Sequence, residues 1–386
     1  MTLVTKLERK ISRFFHVLLK TRRRATFSPY ILNYKPAPGK TKIVHVNGNF
    51  IVGGTTQLII DIIERSSDEY SHQLIVPSYA EPLPYQPVSI KSFSISEMMD
   101  LYKYLEKEEP AVVHVHYWVR EQHRYHGFAL WYAAVFKICE ELQLKVIQNI
   151  NVPTRPFESA AVVHNVFVSN YVYKTFNSAP AIPTSVIYPG SNFSHFSNKD
   201  VRQLPANNVG MAYRLDEDKL NKEVIEIFLT IVKKAPAIKC YIIGDGLFYA
   251  YYVQRVKEEG LEANFIFTGM VSYAKLPEYY KYISVFVAPV HDESFGQVTP
   301  FAMSMGLAVA GYNTGAISEI LGSADTLVEP GDICKLSDII IDLVTDSDKR
   351  IALGERNQQR AHSYFSVEAM ISAYKDLYQL HAHQKK

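Results

Sequence analysis

Short apolar runs rich in valine and isoleucine recur along this chain, and each is followed by a segment with helical spacing. In the first half they are KIVHV at 42–46, HQLIV at 72–76, AVVHV at 111–115 and KVIQNI at 145–150; in the second, VGMAY at 209–213, KCYII at 239–243, NFIFT at 264–268 and ISVFVAPV at 283–290. A run with little polar alternation marks a strand covered on both faces, which is the condition of a parallel sheet held between helices. Strand and helix in series therefore predict an α/β fold of doubly wound parallel sheets. A chain of 386 residues exceeds what one core fills, so two such domains are expected. The proline-punctuated stretch at 178–196 and the PANNV segment at 205–209 place the break at 190–205. This gives domains at 41–195 and 205–365, with a closing helix at 366–386 long enough to cross back to the first.

Composition narrows the partners. The net charge is only +2, which argues against nucleic acid. Residues 1–24, however, carry eight Lys/Arg against one Glu, a net of +7 that leaves −5 for the rest. Val4, Leu7, Ile11, Phe14, Phe15, Leu18 and Leu19 recur there at helical spacing, and a Pro-rich linker follows to residue 40. A basic amphipathic helix of this kind can lie on an anionic membrane surface, or it can pack on the protein body. Cys139, Cys240 and Cys334 are too scattered for a disulfide framework or a metal cluster, which fits a reducing, cytoplasmic setting. No stretch approaches the roughly 20 apolar residues that span a bilayer, and the N-terminus lacks the pattern of a signal peptide. The expectation is a cytoplasmic protein peripheral to the inner face of a membrane.

The candidate site centres on residues 291–321, HDESFGQVTPFAMSMGLAVAGYNTGAISEIL. A buried strand ends just before it, and two helix starts follow, near 294–298 and 314–317. Helix N-termini beyond the carboxyl ends of parallel strands attract anions through free backbone N–H groups, so Ser294, Phe295, Gly296, Gln297, Val298, Thr314 and Gly315 are candidate anion-binding positions. In the second domain's first strand-to-helix connection, Arg214 and Lys219 could neutralise a diphosphate, against the plain alternative of a solvated charged loop. Asp216 and Asp218 share that loop and make a poor metal pair. In the first domain, Gly53 and Gly54 sit where strand turns into helix; glycines there let a substrate approach the backbone, or simply make a tight turn. His114 and His116 alternate on one strand, but no third ligand lies at a metal-site spacing, so hydrogen bonding to backbone or substrate is expected and no residue is assigned to a metal. Tyr117, Trp118 and Tyr125 cluster nearby and suit sugar stacking or buried packing equally.

Taken in order, several of these pieces resemble the retaining glycosyltransferases of the GT-B architecture, most closely glycosyltransferase family 4. They are GG at 53–54, VIYPGSNFSHF at 186–196, AYRLDEDK at 212–219, IIGDG at 242–246, FTGMVSYAKLPEYY at 267–280, ESFG at 293–296, NTGAISEIL at 313–321 and VEPGD at 328–332. The resemblance implies two Rossmann-like domains facing a central cleft, the first for the acceptor and the second for the donor nucleotide. It implies transfer of a sugar from a nucleotide diphosphate-sugar co-substrate, with no metal or other cofactor required, to an acceptor that the sequence does not identify. Arg214 and Lys219 match the cations on the diphosphate, and Glu293 matches the first Glu of the family's Glu-x7-Glu motif, near donor-sugar hydroxyls. The backbone of Phe295, Gly296 and Gln297 matches the segment approaching the phosphates, and Gly53 and Gly54 the loop that closes over donor phosphate and acceptor.

Two positions depart from the family. Phe301 stands where the second Glu of that motif grips the ribose, and Asn149-Ile150-Asn151 ends a strand that often ends in a His near the reacting centre. The alternatives to a transferase are therefore a sugar- or nucleotide-binding protein that lost turnover, marked by Phe301, and an NDP-sugar epimerase of the same fold.

Overall fold

A computed structural model describes residues 30–31, 39–50, 53–78, 85–86, 89–119, 126–178, 181–196, 201–272 and 275–382. The basic segment 1–24 and most of the linker lie outside the described residues. The chain forms two compact units, one of residues up to Ile187 together with Met370–Lys386, the other Tyr188–Ala369.

The first unit holds a seven-stranded parallel sheet of β1 (Thr41–Asn47), β2 (Tyr70–Val76), β3 (Ile90–Ser92), β4 (Val112–Tyr117), β5 (Val146–Ile150), β6 (Val162–Phe167) and β7 (Thr184–Val186), in the order β3-β2-β1-β4-β5-β6-β7. Helices α1 (Gly54–Ser66), α2 (Met98–Glu108), α3 (His126–Glu141) and α4 (Asn170–Phe176) connect these strands. The apolar runs are buried as their composition requires, and side chains alternate between the two faces. Val44, Val46, Val113, Val115 and Val146 meet Leu101 and Leu105 of α2 and Trp131 and Phe136 of α3 in one cluster. The opposite face carries His45, His72, His114, His116 and Asn149, all 2% exposed or less.

The second unit repeats the plan with β8 (Asn208–Ala212), β9 (Lys239–Ile243), β10 (Phe265–Gly269), β11 (Val285–Ala288), β12 (Ala308–Tyr312) and β13 (Leu327–Val328), ordered β10-β9-β8-β11-β12-β13. Its helices are α5 (Val224–Lys234), α6 (Tyr249–Glu258), α7 (Leu276–Tyr280), α8 (Val298–Ser304), α9 (Ile317–Leu321), α10 (Ile333–Thr345) and α11 (Ser347–Tyr364). In α5 the apolar positions Ile225, Phe228, Leu229 and Val232 fall on one face and are all buried. The units divide after Ile187, ahead of the expected 190–205. The reason is aromatic: Tyr188 stacks on Phe295 at 5.7 Å, and Phe196 lies face to face with Phe301 at 4.4 Å, so residues 188–196 pack into the second unit.

The last helix, α12 (Val367–Ala382), has Ser366 at its start, whose Oγ accepts from Ala369 N at 3.3 Å. From Met370 on it belongs to the first unit, and it meets the histidine face of that sheet through polar groups. Tyr378 Oη lies 2.7 Å from His114 Nδ1, Tyr374 Oη donates to Asn149 Oδ1 at 2.6 Å, and His381 Nε2 lies 3.2 Å from His164 Nδ1. Lys375 pairs with Glu69 at 2.7 Å. Satisfied bonds of this kind contribute about 1 kcal/mol each, whereas a buried group left without its partner costs roughly 1–3 kcal/mol.

Burial holds these imidazoles neutral. It lowers His164 to about 4, with His381 beside it adding to the shift, and it lowers His381, where Lys145 adds to the effect. A folded-state value below the unfolded one means that the unfolded chain takes up the extra protons, so this stability is present above pH ~6.5 and is lost as pH falls toward about 4. The melting temperature is expected to fall across that window, and to fall less in His164→Gln. A melting temperature that holds steady from pH 6.5 to 4 would contradict this account.

Candidate functional site

In both sheets the strand order reverses beside the first strand, and in parallel α/β sheets the crevice beyond such a reversal is where ligands bind. In the second unit the reversal lies between β8 and β11, paired at Val209↔Val285 and Gly210↔Phe286. Arg214 and Lys219 follow β8, and Glu293 follows β11, so residues separated by more than 70 positions leave neighbouring strand ends.

The loop after β8 is built by backbone bonds. Leu215 N donates to Asp245 O at 3.0 Å and Phe248 N to Leu215 O at 2.8 Å, while the Asp216 carboxylate accepts Leu247 N–H at 2.8 Å. Lys219 N and Leu220 N both donate to Asp216 O, and His291 N donates to Lys219 O at 3.2 Å, which draws this loop against the one after β11. Lys219 Nζ then reaches Glu293 Oε1 at 2.9 Å. Glu293 is 3% exposed, so the ion pair answers the cost of burying its charge. The third strand end joins through Ala316 N, which donates to Glu293 O at 2.9 Å, and Thr314 Oγ1, which donates to His291 O at 2.8 Å. Gly315 is required here: its φ is +53°, and a Cβ would lie 2.1 Å from Glu293 O. Gly296 passes over the Glu293 carboxylate so closely that a Cβ would lie 2.7 Å from its Cδ.

Other expected positions have different surroundings. Arg214 is half exposed and donates to Asp218 Oδ2 at 2.5 Å, with Asp216 Oδ2 at 3.8 Å. With Asp216 also holding Leu247 N–H, the two aspartates serve the loop and its arginine. Phe295 is buried between Tyr188 and Phe365, and Gln297 Nε2 donates to Gly190 O at 3.5 Å. Thr299 N bonds Gly296 O as the short helix α8 begins at Val298. The Phe295 and Gln297 side chains are thus both engaged within the second unit. Phe301 is 4% exposed and sandwiched with Phe196, so it belongs to the core. The sequence reading passed over His291, whose Nε2 is buried with no hydrogen-bond partner and whose ring stacks on Tyr312. Burial lowers its pKa, opposed by Glu223, and its only sequence signal was its place just past a strand.

In the first unit Gly53 precedes α1 with φ 173°, extended backbone open to any residue, and nothing lies within 4 Å of where a Cβ would sit. The fold itself does not demand glycine there. Tyr117 packs edge-on against Tyr132 at 5.2 Å, and Trp118 lies 4.7 Å from Phe128 and donates to Asn47 Oδ1. Both aromatic side chains thus serve the core; Tyr125 lies outside the described residues.

The family model for glycosyl transferases group 1 matches residues 195–360. The matched span lies within the second unit. Among curated proteins, N-acetyl-alpha-D-glucosaminyl L-malate synthase of Bacillus anthracis is 29% identical over 159 residues, 41% of this chain and 41% of that protein. The capsular polysaccharide biosynthesis glycosyltransferase CapM of Staphylococcus aureus is 26% identical over 179 residues, 44% and 45% of the two chains. The chain thus matches less than half the length of these relatives. Among solved structures, Anabaena HepE in complex with UDP and glucose superposes with a TM-score of 0.70 at 17% identity, covering 88% of this chain and all of that one. The sucrose-phosphate synthase of Thermosynechococcus elongatus gives 0.69 at 17% identity, covering 88% and 99%. With its two helix-flanked parallel sheets, the chain has the GT-B fold. Among the described residues, no helix is long and apolar enough to cross a membrane.

The ion pair of the second unit can be tested directly. Lys219→Met strands a carboxylate that is 4% exposed and is expected to cost about 3 kcal/mol in urea unfolding, whereas adding Glu293→Gln should recover most of that loss. Equal and additive losses from the two changes would mean that the pair is not coupled.

Proposed function

We propose that this chain is a glycosyltransferase that moves a sugar from a nucleotide diphosphate-sugar to an acceptor with retained anomeric configuration. The observation that carries this reading is the Lys219–Glu293 pair at the strand reversal of the unit that the glycosyl transferases group 1 family model matches. The named functions of the relatives, and the UDP and glucose bound to HepE, support a nucleotide-sugar donor.

The chemical task is to stabilise a departing diphosphate and the positive charge left on the sugar. Lys219, paired with Glu293, is the first cation offered to a phosphate, and the second is Arg214. Its bond to Asp218 is half exposed, so releasing it costs under about 1 kcal/mol, while a bidentate guanidinium–phosphate contact gives more. Fixed cations that meet charge as it develops are worth most where water is excluded. Glu293, an acceptor with one oxygen on Lys219, is suited to take hydrogen bonds from sugar hydroxyls with the other. Helices α8 and α9 have only seven and five residues, so the contribution of Ser294–Val298 and Thr314–Gly315 is that of local backbone N–H groups rather than a long helix dipole. The leaving phosphate can itself take the acceptor's proton, and in this scheme the two cations perform the neutralisation without a metal. Gly53 and Gly54 keep the backbone bare for donor phosphate or acceptor. Residues 1–24 complete the proposal as a contact to an anionic membrane surface. Phe301 sustains one rival, a domain that binds donor without turning it over, because no carboxylate is available at that position for the ribose.

The reading is tested by incubating the protein with UDP-, GDP- and ADP-sugars and measuring released nucleotide. One donor is expected to be turned over, and Arg214→Ala, with its melting temperature unchanged, is expected to lower the rate roughly 100-fold or more. Binding without release for every donor would select the inactive reading, and a near-normal rate in Arg214→Ala would remove the arginine from the diphosphate.

A further inference from the structure

The histidines of the first unit form an arrangement that the strand-by-strand spacing conceals. β1 and β4 pair in parallel with His45 opposite His114 and Asn47 opposite His116, so His45, His114 and His116 lie together on one face of the sheet. One ring nitrogen from each lies within 4.8 Å of one from each of the others. The nearest two, His45 Nδ1 and His116 Nε2, are 3.2 Å apart. All three rings are fully buried, and His114 Nε2 and His116 Nδ1 have no hydrogen-bond partner.

The hydrogen-bond chain behind His45 settles where its protons lie. Ser66 Oγ donates to Ile62 O at 2.6 Å, so it accepts from His72 Nε2–H at 2.9 Å. His72 Nδ1 is then an acceptor and takes His45 Nε2–H at 3.0 Å, which leaves a lone pair on His45 Nδ1 pointing toward His116. On the other side, His114 Nδ1 lies 2.7 Å from Tyr378 Oη; with Nδ1–H donating to that oxygen, Nε2 carries a bare lone pair. His116 currently satisfies His45 with Nε2–H, and its own Nδ1 has nothing to bond. The unpartnered Nε2 of His114, beside the His45–His116 contact, is what an imidazole shows when the group that completes it is a ligand rather than another side chain.

We propose that His45 Nδ1, His114 Nε2 and His116 Nε2 bind one zinc-class divalent ion. On binding, the His116 ring proton moves from Nε2 to the vacant Nδ1, so three neutral imidazoles present three lone pairs and no proton need leave the protein. Two nitrogens bound to one tetrahedral zinc at about 2.0–2.1 Å stand roughly 3.3–3.4 Å apart, close to the 3.2 Å between His45 and His116, while His114, within 4.8 Å, would have to draw in. The outer nitrogens of His45 and His114 would each donate to a fixed partner, His72 and Tyr378, as imidazole ligands do when a second shell orients them. A neutral three-nitrogen set suits zinc or a later transition ion over magnesium or calcium, which take oxygen. The ion would fasten β1 to β4 and hold Tyr378, hence α12, against the sheet. It takes no part in the donor chemistry of the second unit, and its test is independent of turnover.

The test uses the full chain purified without a polyhistidine tag. Metal analysis after equilibration with zinc and gel filtration is expected to find about one zinc per chain, with chelation lowering the melting temperature and zinc, but not magnesium, restoring it. His45→Gln and His116→Gln should reduce the bound zinc at least tenfold, and His164→Gln, which alters a different histidine pair, should leave it unchanged. Should the cluster variants fail to fold, cobalt added to the wild-type protein decides: intense visible bands of a tetrahedral nitrogen site are expected. Metal below a tenth of an equivalent, uptake that survives both cluster variants, or the weak spectrum of octahedral cobalt would each overturn the proposal.

Discussion

A carboxylate as buried as Glu293 must be paired, and the requirement organises the domain around it. Its partner, Lys219, comes from the loop after β8, its own backbone from the loop after β11, and the amide that holds its carbonyl from the start of α9 after β12. Through its side chain and its carbonyl, Glu293 therefore ties three strand ends together. Gly296 and Gly315 exist to let the chain pass this close to Glu293, and substituting either meets that residue's own atoms. The same pair sets the terms for the proposed diphosphate, because Lys219 is already engaged by a carboxylate. Binding would then be a redistribution of an existing charge pair, with Arg214 released from Asp218 as the second cation.

The two units solve one folding problem twice. Each places its first strand at the reversal of a parallel sheet. Their covers differ. The second sheet is sealed largely by apolar contacts, as in α5 and in the Phe196–Phe301 stack. The first is sealed on one face by α12 through tyrosine, histidine and asparagine. That polar face is specific in geometry and sensitive to protonation, and its two unpartnered nitrogens make it the place where a bound ion would have most effect.

What the sequence made legible was local. The run KCYII at 239–243 is β9, and LPEYY at 276–280 is α7, because length, β-branching and an early proline suffice to define such elements. Glu293 could be singled out from the sequence because the motif around it is contiguous. The third histidine could not: His45 and His116 are 71 positions apart and meet only through the register of β1 against β4, which no spacing rule along the chain can express. The unit boundary was placed late for a related reason. Proline punctuation marks where a chain turns, but the side to which residues 188–196 belong is decided by Tyr188 and Phe196 packing on aromatic residues about 100 positions away. Phe301 is instructive in the same way. From its position it reads as a lost ribose ligand, while its surroundings reveal a side chain fully used by the core.

The central claim is that Lys219 and Arg214 hold a diphosphate. Calorimetry with a nucleoside diphosphate and its monophosphate, on the wild-type protein and on Arg214→Met with Lys219→Met and Glu293→Gln, measures this most directly. The account predicts that the wild type binds the diphosphate at least about 10-fold more tightly, a difference of about 1.4 kcal/mol, and that the gap closes in the variant. Equal preference for the diphosphate in both proteins would contradict it.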